Sequence, residues 1–246
     1  MSKKKHKKSN PHSAPKAKQP APSKTISPLV WGIGAIVVVL ILVVAAVVMT
    51  QKPTTTSNPQ TTDAATTPTP TSDTYNPPAL EEGVTYTADI EVKDFGTITV
   101  ELDQSAAPVT CANFVKLAQS GFYDGLTFHR IIDNFMIQGG DPNGDGTGGS
   151  EHEIVGEFSS NGYDNPISHT RGTISMARSN DLNSASSQFF IVREDSTYLD
   201  GNYAGFGTVT KGMDVVDAIC DQTESEGVVP AEEQPVITSI TIHTDK

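Results

Sequence analysis

Hydrophobic and polar positions follow three rhythms along the chain. The first is unbroken: residues 29–49, LVWGIGAIVVVLILVVAAVVM, hold no charged side chain. A helix of that run is about 31 Å long, enough to cross a hydrocarbon core of about 30 Å. It shows no polar face, which a soluble helix of that length needs. The second rhythm has period two. In Tyr86-Thr87-Ala88-Asp89-Ile90-Glu91-Val92 the even positions are apolar, and Ile98, Val100 and Leu102 repeat the pattern after a turn at residues 93–96. This predicts a hairpin with one buried face. Short apolar runs at 128–132, 135–138, 173–177, 188–192 and 206–209 predict further strands. Val236, Thr238, Ile240 and Ile242 mark a final one. The third rhythm is helical. Pro108 opens a segment in which Cys111, Phe114, Val115 and Ala118 fall on one face before Gly121, and residues 213–220 place Val216, Ile219 and Cys220 together. Many short strands, two helices and glycine-rich turns predict a mainly β fold, a closed barrel whose ends helices cover.

Charge divides the chain at the apolar run. Residues 1–28 carry eight Lys and no acid, whereas nine Lys and Arg face all 29 Asp and Glu beyond residue 50. Lysines before the run and almost none just after it predict a cytoplasmic N-terminus and an extracytoplasmic remainder. Trp31 sits at the inner end, where interfacial aromatics belong. The competing reading is a cleaved signal peptide. Such a peptide has an apolar region of about 7–15 residues and a small-residue cleavage site. This run is longer, no such site follows closely, and no Cys is present for lipid attachment, so an uncleaved signal-anchor is expected. Residues 1–28 read as a disordered basic tail that signals topology, with contact to anionic lipid as the alternative. Residues 50–82, rich in Thr, Ser and Pro, read as a stalk with a reach of up to roughly 100 Å. Residues 83–246 remain as one folded domain.

The remaining composition excludes more than it assigns. A net charge of −12 argues against nucleic acid as a partner. Two Cys permit no C-x-x-C zinc pattern, and no H-E-x-x-H, G-x-S-x-G or phosphate-binding loop is present. Asp94-Phe95-Gly96 lies in a hairpin turn without partner motifs. Asp141-Pro142-Asn143-Gly144-Asp145-Gly146 begins like a calcium loop, but its twelfth position is His152, where a bidentate Glu is needed. It reads as a flexible turn, and no metal is expected.

Two segments are specific. One is Phe128-His129-Arg130-Ile131-Ile132-Asp133-Asn134-Phe135-Met136-Ile137-Gln138-Gly139-Gly140-Asp141. The other is Ser175-Met176-Ala177-Arg178 followed by Ser187-Gln188-Phe189-Phe190-Ile191, Tyr198-Leu199-Asp200-Gly201 and Phe206-Gly207. In order and spacing they resemble the cyclophilin family of peptidyl-prolyl cis–trans isomerases, also called rotamases, in a bacterial-like form. The resemblance implies a closed eight-stranded antiparallel barrel with two capping helices and an active site on its outer face. It implies Arg130 as the catalytic arginine, with Gln138 holding the guanidinium and meeting the substrate carbonyl. It implies a dry proline pocket of Phe135, Met136, Phe190 and Leu199. Further substrate contacts fall on Gln188 and on Tyr203, where bacterial members often carry Tyr. The main chain at Ala177 and Arg178 is also implied to contact substrate. Alternation along a strand keeps Phe189 off the face of Phe190, so Phe189 is expected in the core.

These residue types suit the reaction. Rotation about X–Pro is opposed by amide resonance, with a barrier of about 18–20 kcal/mol. No bond breaks, so a catalyst must prefer the twisted amide, whose proline nitrogen has regained its lone pair. A cation with fixed donors favours that state. No cofactor is needed. Some positions depart from the family: Tyr198 stands where many eukaryotic members have the Trp that meets cyclosporin, Arg178 replaces a common Asn, and residues 179–186 differ from the usual loop. Cys111 and Cys220 lie on apolar helix faces. In the resembled fold these helices cover opposite barrel ends, which implies two free, buried thiols. Two function classes follow: a membrane-tethered monomeric isomerase that assists folding of exported or surface proteins, and a non-catalytic tethered chaperone module that only holds proline-containing peptides.

Overall fold

The computed structural model of the chain describes residues 74–223 and 227–246. The basic tail, the apolar run and most of the expected stalk lie outside these residues. Among the described residues no helix is long and apolar enough to cross a membrane.

The predicted hairpin forms from β1 (Thr85–Val92) and β2 (Gly96–Leu102), with Ile90 opposite Ile98 and Ala88 opposite Val100. Their even residues from Tyr86 to Val92 and from Ile98 to Leu102 are buried and none of their odd residues is, as the alternation requires. Asp94 takes a left-handed φ of 66° to close the turn. Helix α1 (Pro108–Gln119) begins at the proline. The free N–H groups of Val109 and Thr110 are taken up by the buried carboxylate of Glu157, at 3.0 and 2.8 Å. Helix α2 (Met213–Gln222) buries Val215, Val216, Ile219 and Cys220. Both cysteines are free and buried, as expected.

Between the helices run β3 (Thr127–Ile132), β4 (Met136–Asp141), β5 (Thr173–Met176), β6 (Phe189–Val192) and β7 (Gly205–Lys211). After α2 come β8 (Gly227–Val228) and β9 (Ile237–Asp245). All nine pair antiparallel in the order β8-β3-β4-β6-β5-β7-β2-β1-β9. The structure therefore corrects the expected eight-stranded closed barrel to a nine-stranded curled sheet. β3, next to the β8 end, meets the start of β9 at one bridge, Thr127 with Val236, supported by Ile237 N–H to the Leu126 carbonyl at 2.7 Å. The reason lies in β3. Its edge at Arg130 and Ile131 is occupied by β8, a two-residue strand too short to be read from periodicity, so β9 cannot extend along it.

The concave interior holds the main core. Phe114 of α1 packs against Tyr123, Phe189 and Phe206, with ring centroids 5.2–5.6 Å apart. Each side chain of this kind stabilises the fold by about 1.5–3 kcal/mol through burial alone. The last residues of the expected stalk also touch the domain. The Tyr75 ring stacks on His152 at 4.8 Å, and its N–H donates to the Glu153 carbonyl at 2.8 Å. Pro77 is buried and Leu80 packs on the core.

Candidate active site

Two irregularities in the β3–β4 ladder aim the site. Phe128 faces Gly139 and Arg130 faces Gln138, so His129 is one residue extra on β3. The bulge turns Phe128 and Ile131 both inward while Arg130 points out. On β4 the extra residue is Gly140, at φ 81°, where a Cβ would lie 2.6 Å from the Ser187 carbonyl. Only glycine fits there.

Downstream of the bulges the strands are in register. Arg130, Gln138, Phe190 and Ser175 stand opposite one another across β3, β4, β6 and β5, so they share the outer face. Ile132, Met136 and Val192 form the next row. Arg130 Nη1 donates to Gln138 Oε1 at 3.1 Å, and Gln138 Nε2 donates to Gln188 Oε1 at 2.8 Å. Gln188 Nε2 donates to the carbonyls of Gly148 and Gly146, at 2.7 and 3.1 Å. This relay of amides runs in one direction and ends on backbone, so the guanidinium is held with no carboxylate partner among the described residues.

Beside it lies a second apolar cluster. Met136, Phe190 and Val192 are buried, with Ile132, Phe135, Ala177, Leu199 and Tyr203 packed around them. The Phe190 ring lies 5.9 Å from Tyr203 and 6.5 Å from Phe135. A groove of about 440 Å³ opens over this cluster. Arg130, Phe135, Met136, Gln138, Ala177, Arg178, Phe190, Tyr198, Leu199 and Tyr203 all line it. Of the residues expected in the site, only Gln188 lies outside that wall. It lines an adjoining polar cavity of about 360 Å³ that shares Gln138, Ala177 and Arg178 with the groove. The Arg178 guanidinium is folded over the Tyr203 ring at 4.8 Å and donates to the Asn202 carbonyl at 2.9 Å. Tyr198, 68% exposed, forms the rim. Phe189 faces the core, as alternation requires.

Three participants escaped the sequence reading as site residues. Val228 of β8 lines the groove and is 57% exposed. His129, buried, has both ring nitrogens without a hydrogen-bond partner among the described residues and also lines the groove. Burial pushes its pKa down, against the pull of Asp141. His169, fully buried, stacks behind Phe190 at 6.0 Å. Its Nδ1 donates to Asp200 Oδ1 at 2.9 Å, and its Nε2 accepts from the Ser175 hydroxyl at 2.9 Å, which fits a neutral ring. Burial lowers its pKa, and the Asp200 contacts oppose that shift. A lone His between Ser168 and Thr170 carries no pattern, since its partner is 31 residues away. The loop after Asp141 closes on itself: that carboxylate accepts from the N–H groups of Asn143, Asp145 and Gly146.

The chain is similar to known proteins. The family described as cyclophilin type peptidyl-prolyl cis-trans isomerase/CLD matches residues 87–242. A peptidyl-prolyl cis-trans isomerase of Synechococcus elongatus is 52% identical over 112 residues, covering 46% of this chain and 72% of that protein. Peptidyl-prolyl cis-trans isomerase B of Bacillus subtilis is 47% identical over 123 residues, covering 50% and 82%. Among solved structures, the cyclophilin type isomerase of Cryptosporidium parvum superposes with a TM-score of 0.59 at 30% identity, over 66% of this chain and 99% of that one. The same protein, solved in the presence of the dipeptide Ala-Pro, gives 0.58 at 30% identity, over 65% and 99%.

Proposed function

The chain belongs to the cyclophilin-type peptidyl-prolyl cis–trans isomerase family, and we propose that it accelerates X–Pro rotation in exported or surface proteins from a membrane-tethered position. One observation carries the reading. A guanidinium held by Gln138, with no carboxylate partner among the described residues, stands in the wall of a groove floored by Met136 and Phe190. The proline ring enters between Phe135, Met136, Phe190 and Leu199, where burial of its apolar surface supplies affinity. The flanking chain lies along Ala177 and Arg178, with the Tyr203 hydroxyl and Gln188 as further polar contacts. Arg130 donates to the proline nitrogen as the amide twists. That interaction is stronger in the twisted state than in either planar isomer, which is what lowers the barrier. The Gln138–Gln188 relay fixes the donor in advance, so little reorganisation is needed. Uncatalysed X–Pro isomerisation takes tens to hundreds of seconds, slow enough to limit folding. The enzyme acts as a monomer and without a cofactor.

The test is a prolyl-peptide isomerisation assay on the full chain. Arg130→Ala lowers kcat/KM by roughly 10²–10³, the loss of one transition-state donor, with the circular dichroism of the domain unchanged. Near-wild-type turnover in the folded variant overturns the mechanism.

The location follows from the charge step and the apolar run at residues 29–49. Protease outside intact cells, or outside spheroplasts where a wall intervenes, releases an active acidic domain by cutting within residues 50–82 and leaves residues 1–28 protected. A protected isomerase domain, or a mature chain that starts after residue 45, defeats the tethered reading.

A further inference from the structure

Phe135 is held differently from Met136 and Phe190 in the floor of the groove. Met136 and Phe190 ride on paired strands, whereas Phe135 sits on the turn at residues 133–135 between β3 and β4. Within that turn its N–H donates to the Ile132 carbonyl at 3.1 Å. The Phe135 carbonyl accepts the N–H groups of Arg193 at 2.8 Å and Glu194 at 3.3 Å, just past the end of β6.

The Arg193 side chain then reaches back to the same turn. Its guanidinium pairs with Asp133, two residues before Phe135, and also with Asp217 at 3.2 Å and Asp221 at 2.8 Å on α2. Arg171 closes the group, pairing with Asp217 at 2.7 Å and donating to the Arg193 carbonyl at 2.9 Å. The Arg193 side chain is only 15% exposed, less than any of its partners. Three carboxylates thus converge on one planar, forked cation, which can bond to several of them at once. Without it Asp133 and Asp221 lose the cation between them, and Asp217 keeps only Arg171. Arg193 does not itself line the groove and plays no part in the relay.

We propose that Arg193 is a positioning residue for the isomerase. Through Asp133 and the Phe135 carbonyl it fixes the Phe135 wall of the proline pocket to α2. The inference rests on the reading of the groove as the X–Pro site. A displaced wall weakens proline binding in the ground state and the transition state alike, so KM rises while kcat holds.

The experiment is a double-mutant cycle on the full chain, reading kcat and KM with an Ala-Pro peptide. Arg193→Met raises KM about tenfold and Asp133→Asn, which removes one partly exposed arm, about threefold. In both, kcat stays within about twofold of wild type. In a Phe135→Ala background both increments vanish, because the ring they position is gone. Unchanged KM in the single variants, or increments that persist in that background, overturns the proposal. If Arg193→Met does not fold, the Asp133→Asn arm of the cycle decides alone. If the wild-type chain shows no turnover, the functional reading fails, and the same cycle read as the Kd for the peptide still decides the role of Arg193.

Discussion

Two neighbouring rows of the same four strands meet opposite fates. Ile131, Ile137, Ile191 and Ile174 stand side by side on the inner face, each no more than 2% exposed. One residue along each strand, Arg130, Gln138, Phe190 and Ser175 stand side by side on the outer face. The inner row is four copies of one β-branched hydrophobe, packed against α1 and the far side of the curled sheet. The outer row has four different chemistries: a cation, an amide, an aromatic ring and a hydroxyl. The inner row serves packing, for which shape and volume suffice. The outer row pairs each polar group with a fixed partner and leaves an apolar floor open for a ring. The rigid inner row is what holds the outer row in place.

The sharpest test of this division compares adjacent phenylalanines. Phe189 makes edge contacts with Phe114, Tyr123 and Phe128 in the core. Phe189→Ala costs about 3–5 kcal/mol of stability and lowers Tm by roughly 6–20 °C for a domain of this size. The folded enzyme keeps most of its kcat/KM. Phe190→Ala costs less stability, since its ring borders the open groove, and loses more kcat/KM. Thermal melts and assays at a temperature where both variants are folded decide it. A larger activity loss in Phe189→Ala breaks the division between the rows.

A smaller effect concerns the rim. Tyr198 lies 6.0 Å from Phe135 and has no indole to offer. Weak cyclosporin binding is the expected outcome for the wild-type chain. Tyr198→Trp gains about 1–3 kcal/mol, or roughly 5- to 150-fold in Kd, while peptide turnover changes little. Low-nanomolar inhibition of the wild type, or no gain from the substitution, shows that the rim does not set inhibitor affinity.

The smallest effect lies behind the outer row. His169 supports Phe190 as a neutral ring, and burial lowers its pKa in the folded state. The unfolded chain therefore takes up the proton first as pH falls through about 6.5, and stability falls with it. Above that pH the ring is neutral in both states and the contribution is flat. Melts from pH 8 to pH 5 show a declining Tm, with a shallower decline in His169→Gln. His129, lowered in the same direction, adds a slope of the same sign. An equal slope in both proteins rules out His169 as the source.

Much of this was legible in the chain. Period two is geometrically tied to the two faces of a strand, and the helical spacing of Cys111, Phe114, Val115 and Ala118 to one face of α1. The residue string from Phe128 to Asp141 announced the groove, because a site that acts by geometry alone tolerates few side chains at each position. Less was legible where the partner is distant. Asp200 reaches His169 from 31 residues away, Gln188 reaches Gln138 from 50, and Glu157 reaches the start of α1 from 47. Periodicity reports only neighbours within a few positions, so such pairs leave no trace in it. The short strand β8 and the packing of Tyr75, Pro77 and Leu80 escape for a related reason. Two or three residues are too few to show a rhythm.

The sequence by itself determined the longer strands and both helices through local periodicity, and its motif, through the family it resembles, pointed to two free thiols and to most of the groove residues. Only the tertiary structure decided how those residues are aimed. Strict alternation along β3 would send Arg130 to the same face as Phe128. The extra residue at His129 shifts the register, and Arg130 emerges opposite Gln138 on the outer face. A bulge is set by the pairing of two strands, and pairing is a property of the fold, not of either strand alone.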